Sequence, residues 1–124
     1  MSILNLTQHK ASKEQIESGV IEPISQELIQ DLITFNELPT QEEMEKRADK
    51  LAEIAEYHNC KKALIGGAPY FMSTLESIFE FRGITTYYAF SKRISEEKVM
   101  EDGSVLKTQI FKHSGFFVTP KKFT

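Results

Sequence analysis

A hydroxyl and two cations stand side by side at Ser91, Lys92 and Arg93, directly after the apolar run Tyr87-Tyr88-Ala89-Phe90. This set suits a phosphate or a phosphodiester, because arginine offers a fork of donors and lysine a point charge. Alternate residues of a strand face opposite sides, so Ser91 and Arg93 share a face that Lys92 does not. We therefore predict Ser91 and Arg93 as catalytic and Lys92 as ligand-binding. A solvated charge pair where the sheet continues explains the same residues.

The second cluster is the turn Gly66-Gly67-Ala68-Pro69, which follows the apolar run Ala63-Leu64-Ile65. Glycines allow the backbone to approach a ligand closely, and a helix that begins at the proline presents free amides to an anion. We predict Gly66, Gly67 and Ala68 as ligand-binding. The spacing matches neither a P-loop nor the dinucleotide-binding fingerprint. A tight strand-to-helix turn that needs a left-handed backbone is the alternative.

The third cluster follows the opening strand and contains Asn5, Thr7, Gln8 and His9. Asn5 interrupts an apolar run, and a buried amide is unfavourable unless it is hydrogen-bonded. We predict Asn5 and Thr7, which share a strand face, as ligand-binding. His9 is predicted as catalytic because an imidazole can exchange protons near neutral pH. We interpret Gln8 as a cap for the following turn.

No metal or cofactor is predicted for this chain. The three histidines, His9, His58 and His113, fall in different predicted elements, and Cys60 has no second cysteine at ligand spacing. The sequence also lacks a nucleophile elbow of the G-x-S-x-G type. Any chemistry is therefore expected to use hydroxyl, imidazole, cationic and backbone groups.

The bulk composition is typical of one soluble domain. The chain has 124 residues, 40% of them hydrophobic, and its formal net charge is −3. An acidic balance argues against long nucleic acid, which needs a basic face, but permits a small anionic ligand held by local cations. A single cysteine excludes an internal disulfide, and no segment resembles a signal peptide or a membrane span. We expect a cytoplasmic protein with no membrane partner.

The hydrophobic pattern predicts an α/β fold. Short strands are expected over residues 3–7, 62–65 and 84–90, and helices over 11–17, 25–35, 40–58 and from Pro69 to Gly83. A strand, a glycine turn, a helix and a strand form a βαβ unit with parallel strands. The carboxyl ends of parallel strands meet at one edge, so the three polar clusters are predicted to form one site there.

The last third of the chain changes character. Residues 94–101 and 105–111 flank Asp102-Gly103, which is a strong hairpin signal. We therefore predict one domain over residues 1–124, with a parallel core over 1–93 and a β-hairpin and tail over 94–124. The fold class predicted is a Rossmann-like three-layer sandwich with an appended antiparallel hairpin.

The residues 3–93 resemble a known family. The run Ala63-Leu64-Ile65-Gly66-Gly67, the following helix and the run Tyr88-Ala89-Phe90-Ser91-Lys92-Arg93 look like the CARF-related Rossmann-like proteins of type III CRISPR systems and phages. That family includes stand-alone ring nucleases. The opening strand that ends in Thr7-Gln8-His9 is similar in kind, whereas residues 94–113 have no counterpart in it.

The resemblance implies a homodimer that binds a cyclic oligoadenylate across its two-fold axis. In enzymatic members, cleavage is metal-independent: a ribose 2′-hydroxyl attacks the neighbouring phosphate. It implies Thr7, Gly66, Gly67, Ser91 and Arg93 as binding or catalytic groups. It further implies His9 or Lys92 as stabilisers of the leaving group.

Two other functions remain open at the sequence level. The same edge could serve an enzyme that acts on a small phosphorylated or carboxylated metabolite. Alternatively, the chain could be a non-enzymatic interaction protein of a mobile element. In that case the hairpin and the aromatic residues Phe111, Phe116 and Phe117 would make the contacts, to a second copy or to another chain.

Overall fold

The computed structural model describes residues 2–121, which form one mixed sheet and four helices. The strands are β1 (Ile3–Asn5), β2 (Val20–Ile21), β3 (Lys62–Leu64), β4 (Thr85–Val99) and β5 (Val105–Val118). The helices are α1 (Lys13–Glu17), α2 (Gln26–Ile33), α3 (Gln41–Tyr57) and α4 (Pro69–Phe81). The predicted domain also includes residues 1 and 122–124, which lie outside the described range.

The strand order is β2-β1-β3-β4-β5, with the first four strands parallel and β5 antiparallel to β4. This confirms an α/β fold in which an antiparallel hairpin extends a parallel core. The chain runs from β1 to β2 on one side and later returns to β3 on the other side of β1. In open α/β sheets, such a reversal opens a crevice at the carboxyl ends of the two strands.

The sheet packs its core mainly against one face. Leu4, Leu6, Ala63 and Ile65 point into a cluster shared with α2, α3 and α4. Among the described residues, the opposite face has a small cluster of three buried residues, Ile3, Val20 and Leu64, with Ala11, Tyr87 and Phe116 packed against it. Helix α1, which connects β1 to β2, buries none of its residues.

The predicted three-layer sandwich is not confirmed. The sheet curls into a half-barrel with its helices gathered on one face. The physical reason is the shortness of α1, which spans five residues and has too little apolar surface to form a third layer. Within residues 2–121, none of the helices has the length and hydropathy needed to cross a bilayer.

The helix boundaries follow the capping residues in the sequence. Ser12 and Gln15 form a reciprocal capping box at the start of α1, and the Thr40 side chain accepts a hydrogen bond from the Glu43 amide at the start of α3. Asn59 has a left-handed backbone (φ 58°) just after α3, a conformation that commonly ends a helix.

The hairpin is longer than predicted and joins the core without a break. Residues 84–90 and 94–101 were expected as separate strands, but β4 runs continuously from Thr85 to Val99. Its register with β5 shifts between Ala89 and Ser91, where β5 accommodates one extra residue near Gly115 (φ 118°). Beyond this bulge, the paired residues 91–113 project as a two-stranded ribbon, which we call the arm.

Candidate functional site

An open cleft of about 400 Å³ lies at the carboxyl ends of β1 and β3, where the strand order reverses. It therefore occupies the edge that the sequence predicted. Its lining comes from the loop after β1, the turn after β3 and the middle of β4. The lining residues are Thr7, Gln8, His9, Lys10, Ser12, Gln15, Leu64, Ile65, Gly66, Gly67, Tyr88 and Ala89.

Asn5 organises the loop after β1, which lines this cleft. It is buried, with 1% of its surface exposed, and its Oδ1 accepts hydrogen bonds from the Thr7 amide (3.0 Å) and the Thr7 hydroxyl (2.7 Å). Its Nδ2 donates to the His9 carbonyl (2.8 Å) and to Glu22 Oε1 (2.6 Å). All the donors and acceptors of this amide are therefore used. Asn5, predicted as ligand-binding, holds the loop that forms one wall of the cleft.

Glu22 supports the same loop and was not identified from the sequence. Its second carboxylate oxygen, Oε2, accepts from the Ala11 amide (3.3 Å) and from Gln26 Nε2 (2.8 Å). The residue follows β2, so the β1–β2 pairing is what brings it beside Asn5. Its only sequence signal was a carboxylate directly after an apolar pair.

The loop after β1 presents one predicted imidazole and one unpredicted cation to the cleft. The His9 amide donates to Thr7 Oγ1 (3.3 Å), and this contact closes the loop, while the side chains of His9 and Lys10 are exposed and line the cleft. Gln8, interpreted as a cap, lines the cleft as well. Lys10 could have been found from its place directly after His9.

The Gly66-Gly67 turn faces the loop after β1 across the crevice. Gly67 has a positive φ of 147°, which L-residues rarely adopt, and a Cβ built on Gly66 would lie 3.5 Å from Thr7 Cγ2. Ala68 is the N-cap residue before α4 and makes no side-chain cap, and it lies beside the cleft rather than among its lining residues. Pro69 has no amide hydrogen, and the Phe71 amide donates to the Ala68 carbonyl (3.0 Å), so the glycine turn rather than the first turn of α4 faces the cleft.

The predicted cluster of Ser91, Lys92 and Arg93 lies on the arm, outside the lining of the cleft. Ser91, Lys92 and Arg93 are exposed, and the Arg93 guanidinium lies 5.4 Å from the centre of the Phe111 ring. Ser91 and Arg93 share the strand face of Ala89, which does line the cleft. Ser91 follows Ala89 by two residues, a distance of about 7 Å along a strand. It therefore stands just beyond the cleft on the same surface.

His113 is the imidazole beside Ser91. The two residues pair directly across β4 and β5, and the His113 ring packs 4.8 Å from the Phe116 ring centre. Its Nδ1 is buried without a hydrogen-bond partner among the described residues. A buried nitrogen without a hydrogen bond is unfavourable. A ligand hydroxyl that reached His113 Nδ1 beside Ser91 would supply the missing hydrogen bond.

Tyr88 connects the cleft to α4. Its hydroxyl donates a hydrogen bond to Glu76 Oε2 (2.6 Å). Burial, this hydrogen bond and the Glu76 charge together raise the pKa of the Tyr88 phenol well above its ordinary value. The phenol therefore remains neutral across the physiological range.

Replacing Tyr88 with phenylalanine is expected to destabilise the protein by about 1 kcal/mol at neutral pH, because the bond to Glu76 is lost. The raised pKa favours the neutral phenol in the folded state. The contribution of Tyr88 is therefore complete below about pH 10, the value for a free phenol, and declines above it. Urea unfolding at neutral and alkaline pH measures both effects. Tyr70→Phe, a change at an exposed phenol, is the control, and an alkaline decline equally steep in Tyr88→Phe and in the wild-type chain would contradict this assignment.

A metal centre is not evident in the described part of the chain. Residues 2–121 contain no group of three or more histidine, cysteine, aspartate and glutamate side chains close enough to hold an ion. His58 instead hydrogen-bonds locally, with Nδ1 2.8 Å from the Ile54 carbonyl. Cys60 is buried, and this burial raises the pKa of its thiol.

Fold and cleft together define an α/β protein with a half-barrel sheet and an open site at the reversal of its strand order. The family model of the uncharacterized protein MJ1673 family matches residues 1–117. The chain therefore belongs to that family. Comparison with curated proteins finds no match, and neither does comparison with solved structures.

Proposed function

We propose that the cleft binds a small nucleotide, most specifically a cyclic oligoadenylate, and that the protein is a metal-independent ring nuclease or a sensor of that nucleotide. The observation that carries the proposal is the convergence of Lys10, His9 and the Gly66-Gly67 turn on one crevice. A cation, an imidazole and a glycine turn whose backbone a ligand can approach closely are groups that hold a phosphate. The strand order β2-β1-β3-β4 supports a Rossmann-like relationship, since its reversal coincides with the crevice.

The charge distribution favours a compact anion over a long polymer. The chain as a whole is acidic, with a formal net charge of −3. Its cations beside the cleft are few and local, namely Lys10 in the lining and Arg93 on the adjoining face of the arm. A ring of nucleotides brings several phosphates within one such short stretch, whereas a long duplex needs an extended basic face.

If the protein cleaves its ligand, the groups available fit transesterification within the ring. The ribose 2′-hydroxyl gives its proton to an imidazole, its oxygen bonds to phosphorus, and the bond from phosphorus to the 5′-oxygen breaks. The products are a 2′,3′-cyclic phosphate and a 5′-hydroxyl, which takes up one proton. In this scheme His113, which pairs with Ser91, accepts the first proton, and His9, which lines the cleft, supplies the second. Arg93 would stabilise the charge on phosphate.

Calorimetric titration with cyclic tetra-adenylate tests binding, with AMP and inorganic phosphate as controls. Lys10→Ala is expected to weaken binding about tenfold, because one charge-assisted phosphate contact is lost. Lys13→Ala, an exposed lysine three residues further on in α1, should leave the affinity unchanged. No heat with any of these ligands at high protein concentration would refute the proposal. Stabilisation by a simple metabolite alone would instead favour an enzyme of small-molecule metabolism.

Analysis of the reaction products after incubation with a metal chelator distinguishes a metal-independent nuclease from a sensor. A nuclease yields linear fragments ending in a 2′,3′-cyclic phosphate, and His113→Ala should slow their formation while binding persists. An intact ring after prolonged incubation, together with measured binding, identifies a sensor.

A further inference from the structure

The arm has an open strand edge along β4. Two hydrogen bonds show which residues of β4 point their backbone groups toward β3. Thr85 N donates to the Lys61 carbonyl (2.9 Å), and Ile65 N donates to the Tyr87 carbonyl (2.8 Å). Odd-numbered residues of β4 therefore point their backbone groups toward the β3 side. Because β3 ends at Leu64, opposite Tyr87, no described strand covers this edge from Ser91 to Val99.

An isolated two-stranded ribbon of this kind is only marginally stable in water. Nine residue pairs extend from Ser91 with His113 to Val99 with Val105, and apolar side chains such as Val99, Phe111 and Ile110 remain exposed on it. Lys92 also lies directly opposite Lys112, and like charges in facing positions destabilise a sheet. Both features would be relieved by a further strand with negative charge beside Lys92.

The sequence of the open edge is complementary to itself. From residue 92 it reads Lys92, Arg93, Ile94, Ser95, Glu96, Glu97, so that two cations, two uncharged residues and two carboxylates follow in order. When two copies run antiparallel around a two-fold axis through Ile94, Lys92 faces the partner's Glu96. Ile94 then faces the partner's Ile94.

We propose that two copies of this chain pair along β4, edge to edge and antiparallel, with Ile94 at the two-fold axis. The backbone permits this register, because Arg93 and the partner's Ser95 both point their backbone groups at the shared edge. The paired arms then form a four-stranded sheet, and Ile110, Ile94 and their two copies form one apolar row across it.

Neighbouring registers are less favourable. A two-fold axis at Arg93 sets Arg93 against the partner's Arg93. An axis at Ser95 sets Arg93 against the partner's Glu97 but also Lys92 against the partner's Lys98, so attraction and repulsion offset each other. Only the Ile94 register opposes cation to carboxylate at Lys92, so charge selects it among the three.

This pairing brings each partner's hairpin turn to the cleft. In the Ile94 register, the partner's Val99 faces Ala89, which lines the cleft. The partner's turn, from Met100 to Ser104, follows directly and lies beside the end of β3. The site is therefore completed by the second copy, whatever ligand it binds.

Cysteine cross-linking tests the register. Ile94 would be a non-hydrogen-bonded pair, whose Cα atoms lie about 4.5 Å apart, a separation that allows a disulfide. Ile94→Cys is expected to give a covalent dimer on mild oxidation. Ile110→Cys is the matched control, since it faces Ile94 on the same surface of the arm yet lies about 14 Å from its own copy in the four-stranded sheet. The wild-type chain, whose Cys60 is buried, gives the background.

Charge exchange tests the same interface without a cysteine. Lys92→Glu and Glu96→Lys each place like charges at both symmetric positions and should weaken dimerisation about tenfold in sedimentation equilibrium. A mixture of the two variants restores opposite charges at both positions and should recover a dimer. Equal cross-linking of Ile110→Cys and Ile94→Cys, a monomeric wild-type chain, or a mixture that stays monomeric would each overturn the proposal. These outcomes are independent of ligand binding.

Discussion

Asn5→Asp is expected to lower the free energy of unfolding by about 3 kcal/mol at neutral pH, although the two side chains have nearly the same shape. The new carboxylate still accepts from the Thr7 amide and hydroxyl. Its other oxygen replaces Nδ2 and therefore faces the His9 carbonyl and the Glu22 carboxylate, which lie 2.8 Å and 2.6 Å from Nδ2 in the wild-type chain. Two donated hydrogen bonds become two repulsive contacts in a buried position.

The pH dependence of this variant has a definite sign. Neighbouring carboxylates at positions 5 and 22 would raise each other's pKa, so the folded state favours a protonated pair. The destabilisation should therefore shrink as the pH falls and grow as it rises toward neutrality. Urea unfolding at mildly acidic and neutral pH measures it, with the exposed Asn36→Asp as the control. An equal deficit at both pH values would show that the Glu22 contact is not the cause.

Phe71→Ala is expected to destabilise the protein by about 4 kcal/mol, because it leaves a ring-sized cavity in the core. Phe71 has no exposed surface, and its ring meets the Phe35 ring edge-on at 5.1 Å. Arg47 lies on the Phe35 ring, 4.4 Å from its centre, and so joins α3 to the same aromatic group. Since Phe71 lies in the first turn of α4, its loss should also displace the Gly66-Gly67 turn and weaken ligand binding.

The same helix supplies the control for this substitution. Phe81, at the other end of α4, is 86% exposed, so Phe81→Ala should change the stability little. Phe71→Leu refills most of the cavity and should recover more than half of the loss. Denaturant unfolding of the three variants is the measurement. A similar small effect of Phe71→Ala and Phe81→Ala would mean that α4 is not anchored through its first turn.

Local patterns in the sequence predicted the elements that stand around the cleft. The capping residues Ser12 and Thr40 and the glycines after β3 act within a few residues, so their effects are visible without the fold. The parallel pairing of β1 with β3 then follows from the alternation of strands and helices, and with it the meeting of Thr7 and Gly66 at one edge. The ligand class stays a proposal at both levels.

Whether Ser91 and Arg93 lie in the cleft depends on where β4 ends, and no local pattern in the sequence marks that residue. Residues 84–99 contain no glycine or proline, so no breaker separates the buried strand from the ribbon. The strand continues because β5 pairs with it past the bulge at Ala89, and this pairing is a long-range contact. The two residues consequently lie on the arm instead of at a strand end.

The sequence by itself determined the α/β order of elements, the hairpin turn at Asp102-Gly103 and the edge at which the polar clusters after β1 and β3 meet. These depend on hydrophobic period, turn chemistry and capping, which act over short distances along the chain. Only the tertiary structure decided that Asn5 is satisfied by Glu22, that Lys10 joins the cleft, and that His113 stands against Ser91. Each of these depends on partners 17 or 22 residues apart, or on the curl of the sheet, and packing of the whole chain brings them together.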